Sequence, residues 1–138
     1  MTRVLFVCIG NSCRSPMAEA FARRLGDGVV EASSAGIFPA AIIQPETLRV
    51  MAERDAPVED RAPRSVLAID ASRVDLLINM SGRPLAEALS AFAGREIGWD
   101  VQDPIGASLA VYRSVRDEIE RRVADLIREL RPAAGMRA

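Results

Sequence analysis

The sequence predicts an α/β fold, a single-domain four-stranded parallel sheet flanked by helices on both faces. Three observations predict it. Short strand-like segments, Val4–Val7, Val29–Ser34 and Val74–Met80, alternate with segments of helical spacing. Prolines stand at the openings of two such segments, Ser15-Pro16 and Pro45, where a missing N–H leaves no hydrogen bond unmade. Near the C-terminus Val111, Val115, Ile119, Val123, Leu126, Ile127 and Leu130 recur at three- and four-residue steps. That stripe is made to lie on a sheet.

The first strand, Val4-Leu5-Phe6-Val7, is apolar at successive positions, as a strand buried on both faces requires. The first helix opens on a Ser15 hydroxyl cap with Pro16 in its first turn, and ends near Gly26 or Gly28. Val29–Ser34 forms the second strand and leads to a turn at Ala35-Gly36. Pro45–Ala52 is the second helix, and the proline- and charge-rich Asp55–Arg64 an exposed loop. Val74–Met80 is the third strand, ending at Ser81-Gly82. Pro84–Phe92 suits a helix, Arg95–Trp99 a short fourth strand and Ser108–Leu130 a long last helix. The tail Pro132–Ala138 frays. With no repeat and no low-complexity linker, residues 1–138 form one domain.

Bulk properties exclude several classes. A chain of 138 residues is one core's worth, enough to bury roughly two thirds of its unfolded surface. Lys+Arg 18 against Asp+Glu 19 leaves no basic excess for nucleic acid or an anionic membrane surface. No apolar run approaches the ~18 residues of a membrane span, and no secretory leader is present. Two cysteines are too few for a disulfide framework, so the expected setting is reduced and cytoplasmic. Histidine is absent. A zinc site of the usual nitrogen and sulfur ligands cannot be assembled within one subunit, and the commonest general base is missing. No cofactor is expected, and any anion must be recognised locally.

The local feature that can do so follows the first strand. Cys8, Ile9, Gly10, Asn11, Ser12, Cys13, Arg14 and Ser15 make a short polar loop leading into the first helix. In parallel sheets ligands bind at such carboxyl ends of strands. The N–H groups of residues 9–15, beside a helix N-terminus, form a phosphate cradle, and Gly10 permits backbone geometry that a Cβ resists. Arg14 adds a planar fork for two oxygens of a phosphate or arsenate. The same positive field favours a Cys8 thiolate, a nucleophile to which Ser15 can donate a hydrogen bond. A phosphomonoester also needs a proton on its leaving group. Asp103, fixed beside Pro104 on a loop after a short strand, is the candidate acid, and afterwards the base that activates water.

Plainer roles stand beside these. Cys8 alone could be a buried structural cysteine, and Asp103 an Asp-Pro turn. Cys13 packs the loop or serves as a redox partner, forming a reversible disulfide with Cys8. Trp99 and Phe38 pack the core or rim, or line a pocket. Neither a Walker loop nor a dinucleotide GxGxxG is present.

At VLFVCIGNSCRSPMAEA the sequence resembles the low-molecular-weight protein tyrosine phosphatases. The resemblance extends through SSAG at Ser33–Gly36, VDLLINMSG at Val74–Gly82 and DPIGASLAVYRSVRDEIE at Asp103–Glu120. It implies Cys8 as nucleophile, Arg14 as phosphate clamp, Asp103 as general acid, and Asn11, Ser15 and Ser34 as the network holding the loop. Many tyrosine-specific members follow the Asp-Pro with tyrosines, whereas Ile105 and Gly106 follow here and Tyr112 lies further along. The superfamily also contains protein arginine phosphatases, with a small hydroxylated residue at the position of Ser12. It contains thiol-dependent arsenate reductases too, which usually need cysteines outside the loop; this chain has none there. Where the family often has a histidine before the third strand, this chain has Asp60-Arg61.

The resemblance implies a phosphatase acting on protein phosphotyrosine through a phosphocysteine; a preference for that substrate would mean that Trp99, Phe38 or Tyr112 replaces the missing pocket wall. A protein arginine phosphatase is the second reading. Arsenate reduction with thioredoxin, glutaredoxin or a small thiol is the third reading. A phosphate-binding module without turnover would need neither thiolate nor acid.

Overall fold

In the computed structural model, which describes residues 1–85 and 89–132, the first apolar run becomes β1 (Thr2–Cys8), buried from Val4 onward. Burial on both faces suits a central strand. β1 pairs in parallel with β2 (Val30–Gly36) on one side and with β3 (Leu76–Asn79) on the other. β3 pairs in parallel with β4 (Arg95–Gly98), so the sheet runs β2-β1-β3-β4. Register is tight: Phe6 stands opposite Ser34 on one neighbour and Ile78 on the other.

The period-2 alternation of β1 splits the core. Val4 and Phe6 face a cluster with Met17 and Phe21 of α1 (Arg14–Leu25) and with Ile119 and Val123 of α3 (Leu109–Leu130). Leu5 and Val7 face the other side, where Val66, Ala71, Leu85 and Leu89 cover them. Val66 and Ala71 lie on the short 3₁₀ turns Val66–Ala68 and Ala71–Arg73. The last helix begins as expected at Ser108, whose hydroxyl accepts from the Val111 N–H at 3.3 Å. α2 (Pro45–Ala52) has the expected bounds.

Some boundaries differ. α1 is capped at Cys13 without a side-chain bond, because the Ser15 hydroxyl lies inside the helix and turns to Cys8. Ala35-Gly36 is not a turn: both residues continue β2, with Gly36 in register with Cys8. The helix expected over Pro84–Phe92 crosses residues 86–88, which lie outside the described residues, as do 133–138 of the tail. On its flanks the Leu89 N–H donates to the Leu85 carbonyl at 3.0 Å. No helix among the described residues is long and apolar enough to cross a membrane.

The chain leaves β1 for β2 on one side and later enters β3 on the other. The loop after Cys8 therefore opens at the topological switch point, where neighbouring connections diverge and leave a crevice.

Candidate active site

The loop from Cys8 to Arg14 is tied down from outside. Its carbonyls at Cys8, Ile9, Gly10 and Ser12 accept from the N–H groups of Ile37, Phe38, Ala40 and Gln44, at 3.2, 2.8, 2.9 and 3.2 Å. Buried Thr47 adds its hydroxyl to the Ser12 carbonyl at 2.9 Å. Engaging the carbonyls outward is the arrangement that frees N–H groups for an anion. The approach is close: a Cβ on Gly36 would stand 2.6 Å from the Ile9 carbonyl oxygen.

Asn11 makes the loop's sharpest bend, with φ 51, a conformation costing about 1–2 kcal/mol outside glycine. Its side chain is fully engaged. Oδ1 accepts from Arg61 at 3.1 Å and from the Arg64 N–H at 3.0 Å. Nδ2 donates to Ser15 Oγ at 2.9 Å and to Ser34 Oγ at 3.0 Å. Ser15 Oγ accepts from Asn11 and can turn its own proton to Cys8 Sγ, 2.9 Å away, a nearer partner than the Ala35 carbonyl at 3.5 Å. The Ser15 N–H also points at that sulfur, at 3.4 Å. Two donors thus converge on the one sulfur.

Arg14 is clamped with its charge beside the loop. One guanidinium nitrogen donates to the carbonyls of Met80 and Val101, at 2.7 and 2.9 Å. The other lies 3.7 Å from Asp103 Oδ2. Asp103 occupies the rim, its side chain 41% exposed, with Oδ1 accepting from the Ile105 N–H at 3.1 Å. It is thus an Asp-Pro turn and also a carboxyl near the anion clamp. Beside Arg14 a cleft of about 520 Å³ runs between Met80–Arg83 and Trp99–Val101.

Hydrogen bonds join Cys8, Ser15, Asn11 and Ser34 into one group, while Arg14 is held separately on the Met80 and Val101 carbonyls. Cys13 is placed differently, its thiol turned to the Tyr112 hydroxyl of α3 at 3.5 Å. Burial pushes the Cys13 thiol pKa up, against the hydrogen bond from Tyr112. Tyr112 is 1% exposed, so it cannot wall a pocket; its phenol is raised by that burial. Trp99 packs on Phe6, ring centroids 6.0 Å apart, with Arg122 over its face. Phe38 alone of the three is well exposed, 63%, beside the loop and under the Arg83 guanidinium at 5.8 Å.

Sequence reasoning missed the outer support. Asp55–Arg64, expected to be an exposed loop, sends Arg61 inward to Asn11, to Ser34 Oγ at 2.9 Å and to Glu19 at 3.1 Å. Near the place where the resemblance would put a histidine, Arg61 thus donates a bond to the loop. Glu19 is buried and also accepts from Ser34 Oγ at 2.6 Å. Its signal was legible: it is the one charged residue in Met17–Ala22, and a charge on a buried face needs partners.

A family profile described as low molecular weight phosphotyrosine protein phosphatase matches residues 3–134. A glutaredoxin arsenate reductase of Synechocystis sp. is 33% identical, over 94% of this chain and 99% of its own. A protein-arginine-phosphatase of Geobacillus stearothermophilus is 32% identical, over 93% of this chain and 95% of its own. Among solved structures, an arsenate reductase in the phosphate binding state superposes with a TM-score of 0.85 at 32% identity, covering 95% of this chain and 100% of that one.

Proposed function

Because this chain belongs to the low-molecular-weight phosphotyrosine protein phosphatase family, we propose that it hydrolyses phosphomonoesters, removing phosphate from protein phosphotyrosine through a phosphocysteine at Cys8. The observation that carries this reading is the placement of Cys8 Sγ 2.9 Å from Ser15 Oγ, in a loop that ends at clamped Arg14. The loop N–H groups and the Arg14 fork hold the phosphoryl oxygens, whose charge they also neutralise as the bond to sulfur forms.

Cys8 thiolate attacks phosphorus, the P–O bond to the phenol breaks, and Asp103 gives its proton to the departing oxygen. Water then attacks the phosphocysteine. Asp103 takes a proton from that water, the S–P bond breaks, and inorganic phosphate leaves with the thiolate restored. Exposed Phe38, next to Ile9, offers a face for the substrate ring. A thiolate nucleophile works best in a reducing compartment, and the cytoplasm is the setting proposed.

Phosphoarginine is the second reading. It is favoured by Ser12, by Ile105-Gly106 in place of aromatic residues after Asp103-Pro104, and by the arginine phosphatase among the relatives. Arsenate reduction would use the same cradle, and relatives of that name are among the matches. Here it would need electrons from outside, a glutaredoxin, thioredoxin or small thiol, since both cysteines lie in the loop and Cys13 is turned to Tyr112.

The deciding experiment compares phosphate release from matched phosphotyrosine and phosphoarginine peptides with thiol-dependent arsenate reduction. Preference for phosphotyrosine is expected. Preference for phosphoarginine transfers the assignment to the second reading, and arsenate reduction without phosphate release overturns both.

A further inference from the structure

We propose that Arg61 is a positioning residue, a permanently charged fork that holds Asn11 in its left-handed bend and neutralises buried Glu19, thereby setting the shape of the phosphate cradle. The proposal rests on the cradle binding an oxyanion, as the proposed function requires.

Arg61 comes from the connection between α2 and β3, with its side chain 17% exposed. One terminal nitrogen donates to Asn11 Oδ1 at 3.1 Å and to its neighbour's carbonyl, Ala62, at 3.0 Å. The other donates to Glu19 Oε1 at 3.1 Å and Ser34 Oγ at 2.9 Å. Among the described residues its Nε has no hydrogen-bond partner, and it lies 3.5 Å from Glu59 Oε2. Two sets of bonds in two directions need the planar fork, which a lysine ammonium does not reproduce.

Glu19 explains why charge is needed as well. Its side chain is 4% exposed, and it faces Arg23 at 2.9 Å, Arg61 at 3.1 Å and Arg64 at 4.0 Å. Arg23 is 46% exposed and screened by water. Arg61 is the least exposed of the three cations. Without it, Glu19 keeps a desolvated charge poorly compensated, and Asn11 Oδ1 keeps one donor of two. From Arg61 the chain of bonds runs to Asn11, to Ser15 and to Cys8 Sγ. A shift of Asn11 therefore reaches the nucleophile.

The test measures the dissociation constant for inorganic phosphate, kcat on a small aryl phosphate and the melting temperature in wild type, Arg61→Met, Arg61→Lys and Glu19→Gln/Arg61→Met. Arg61→Met is expected to weaken phosphate binding and lower kcat by about tenfold or more, the scale of one charged hydrogen bond. Arg61→Lys should recover the melting temperature but only part of kcat. The double variant should melt above Arg61→Met without recovering kcat. Wild-type phosphate affinity and kcat in Arg61→Met, with only the melting temperature lowered, would make Arg61 merely structural and overturn the proposal. If Arg61→Met does not fold, full wild-type kcat in Arg61→Lys overturns the fork. Failure of the wild type itself to bind phosphate overturns the reading of the cradle.

Discussion

The guanidinium of Arg14 and the carboxylate of Asp103 approach to 3.7 Å, and each is held by something else. Arg14 is anchored on two carbonyls and Asp103 on the Ile105 N–H. Held apart by separate anchors, they make a loose pair at the rim rather than a closed salt bridge. An incoming phosphoryl group can take the clamp while the carboxyl stays near the leaving oxygen.

Asp103→Ala therefore slows substrates according to their leaving groups. For phenyl phosphate, which needs a proton, kcat should fall ~10²–10⁴-fold, the usual worth of general acid catalysis. For an activated nitrophenyl ester the fall should be much smaller. A plot of log kcat against leaving-group pKa checks this, and equal losses across the series would reduce Asp103 to its Asp-Pro turn.

Cys8→Ser removes the nucleophile while leaving the N–H cradle, so phosphate binding should survive and turnover should vanish. Ser15→Ala acts one bond further out. Its hydroxyl is one of two donors to the sulfur, and a hydrogen bond to a charged group contributes about 1.5–3 kcal/mol. A 10- to 100-fold loss in kcat/KM is expected by steady-state kinetics, and activity near wild type would show that the bond does no catalytic service.

Most of the site was legible because it is local. Cys8 to Ser15 is one stretch of chain between a strand and a helix, so loop composition alone placed nucleophile, clamp and hydroxyl together. Ser34 came with the resemblance. Its position follows from register, since it stands opposite Phe6 on β2. Arg61 and Glu19 were harder. They meet through a connection 42 residues distant, and a charge-rich stretch such as Asp55–Arg64 has the composition of a solvated loop whether or not one arginine turns inward. Tyr112 misled for the opposite reason: the sequence reading put Val111 on the buried stripe of the last helix, whereas Tyr112 is the residue buried there, and an aromatic near a site invites a pocket role.

Gly36→Ala tests how closely the loop is laid on β2. The added methyl would meet the Ile9 carbonyl oxygen at 2.6 Å, the Asn11 nitrogen at 2.8 Å and the Gly10 carbonyl carbon at 2.9 Å. Backbone atoms cannot swing away as a side chain can. A loss of about 1–3 kcal/mol in stability is expected from overpacking, together with weakened phosphate binding, readable by thermal melting and by titration with phosphate. Unchanged phosphate affinity would mean that the loop tolerates displacement.

Acid sensitivity has a source far from the site. Glu53 binds Arg113 at 2.8 Å and Arg116 at 2.7 Å, tying α2 to α3. The hydrogen bond from Arg113, with that from Arg116, holds its carboxyl at about 2, below the ordinary 4.5. A lowered folded value means that this contribution is complete above pH 4.5 and is lost as the pH falls towards 2. Glu53→Gln should thus narrow the stability gap to wild type over that window, and added salt should narrow it at neutral pH. Acid titrations followed by circular dichroism check it, and a gap independent of pH would sink it.

The two cysteines should part company towards an alkylating agent. Both are free and buried, but their surroundings differ. Cys8 Sγ has two donors at its loop position, whereas Cys13 Sγ lies against Tyr112 and has its thiol raised by burial. The thiolate is the species that reacts, so iodoacetamide near neutral pH should label Cys8 first. Inorganic phosphate should protect that site by filling the cradle. Cys13 should take label at a comparable rate only after unfolding, and Tyr112→Phe, which removes its hydroxyl partner without opening the core, should leave it slow. Peptide mapping of the labelled protein decides the matter. Equal labelling of both cysteines in the folded state would mean that Cys13 is open to reagent, and its burial against α3 would no longer account for its chemistry.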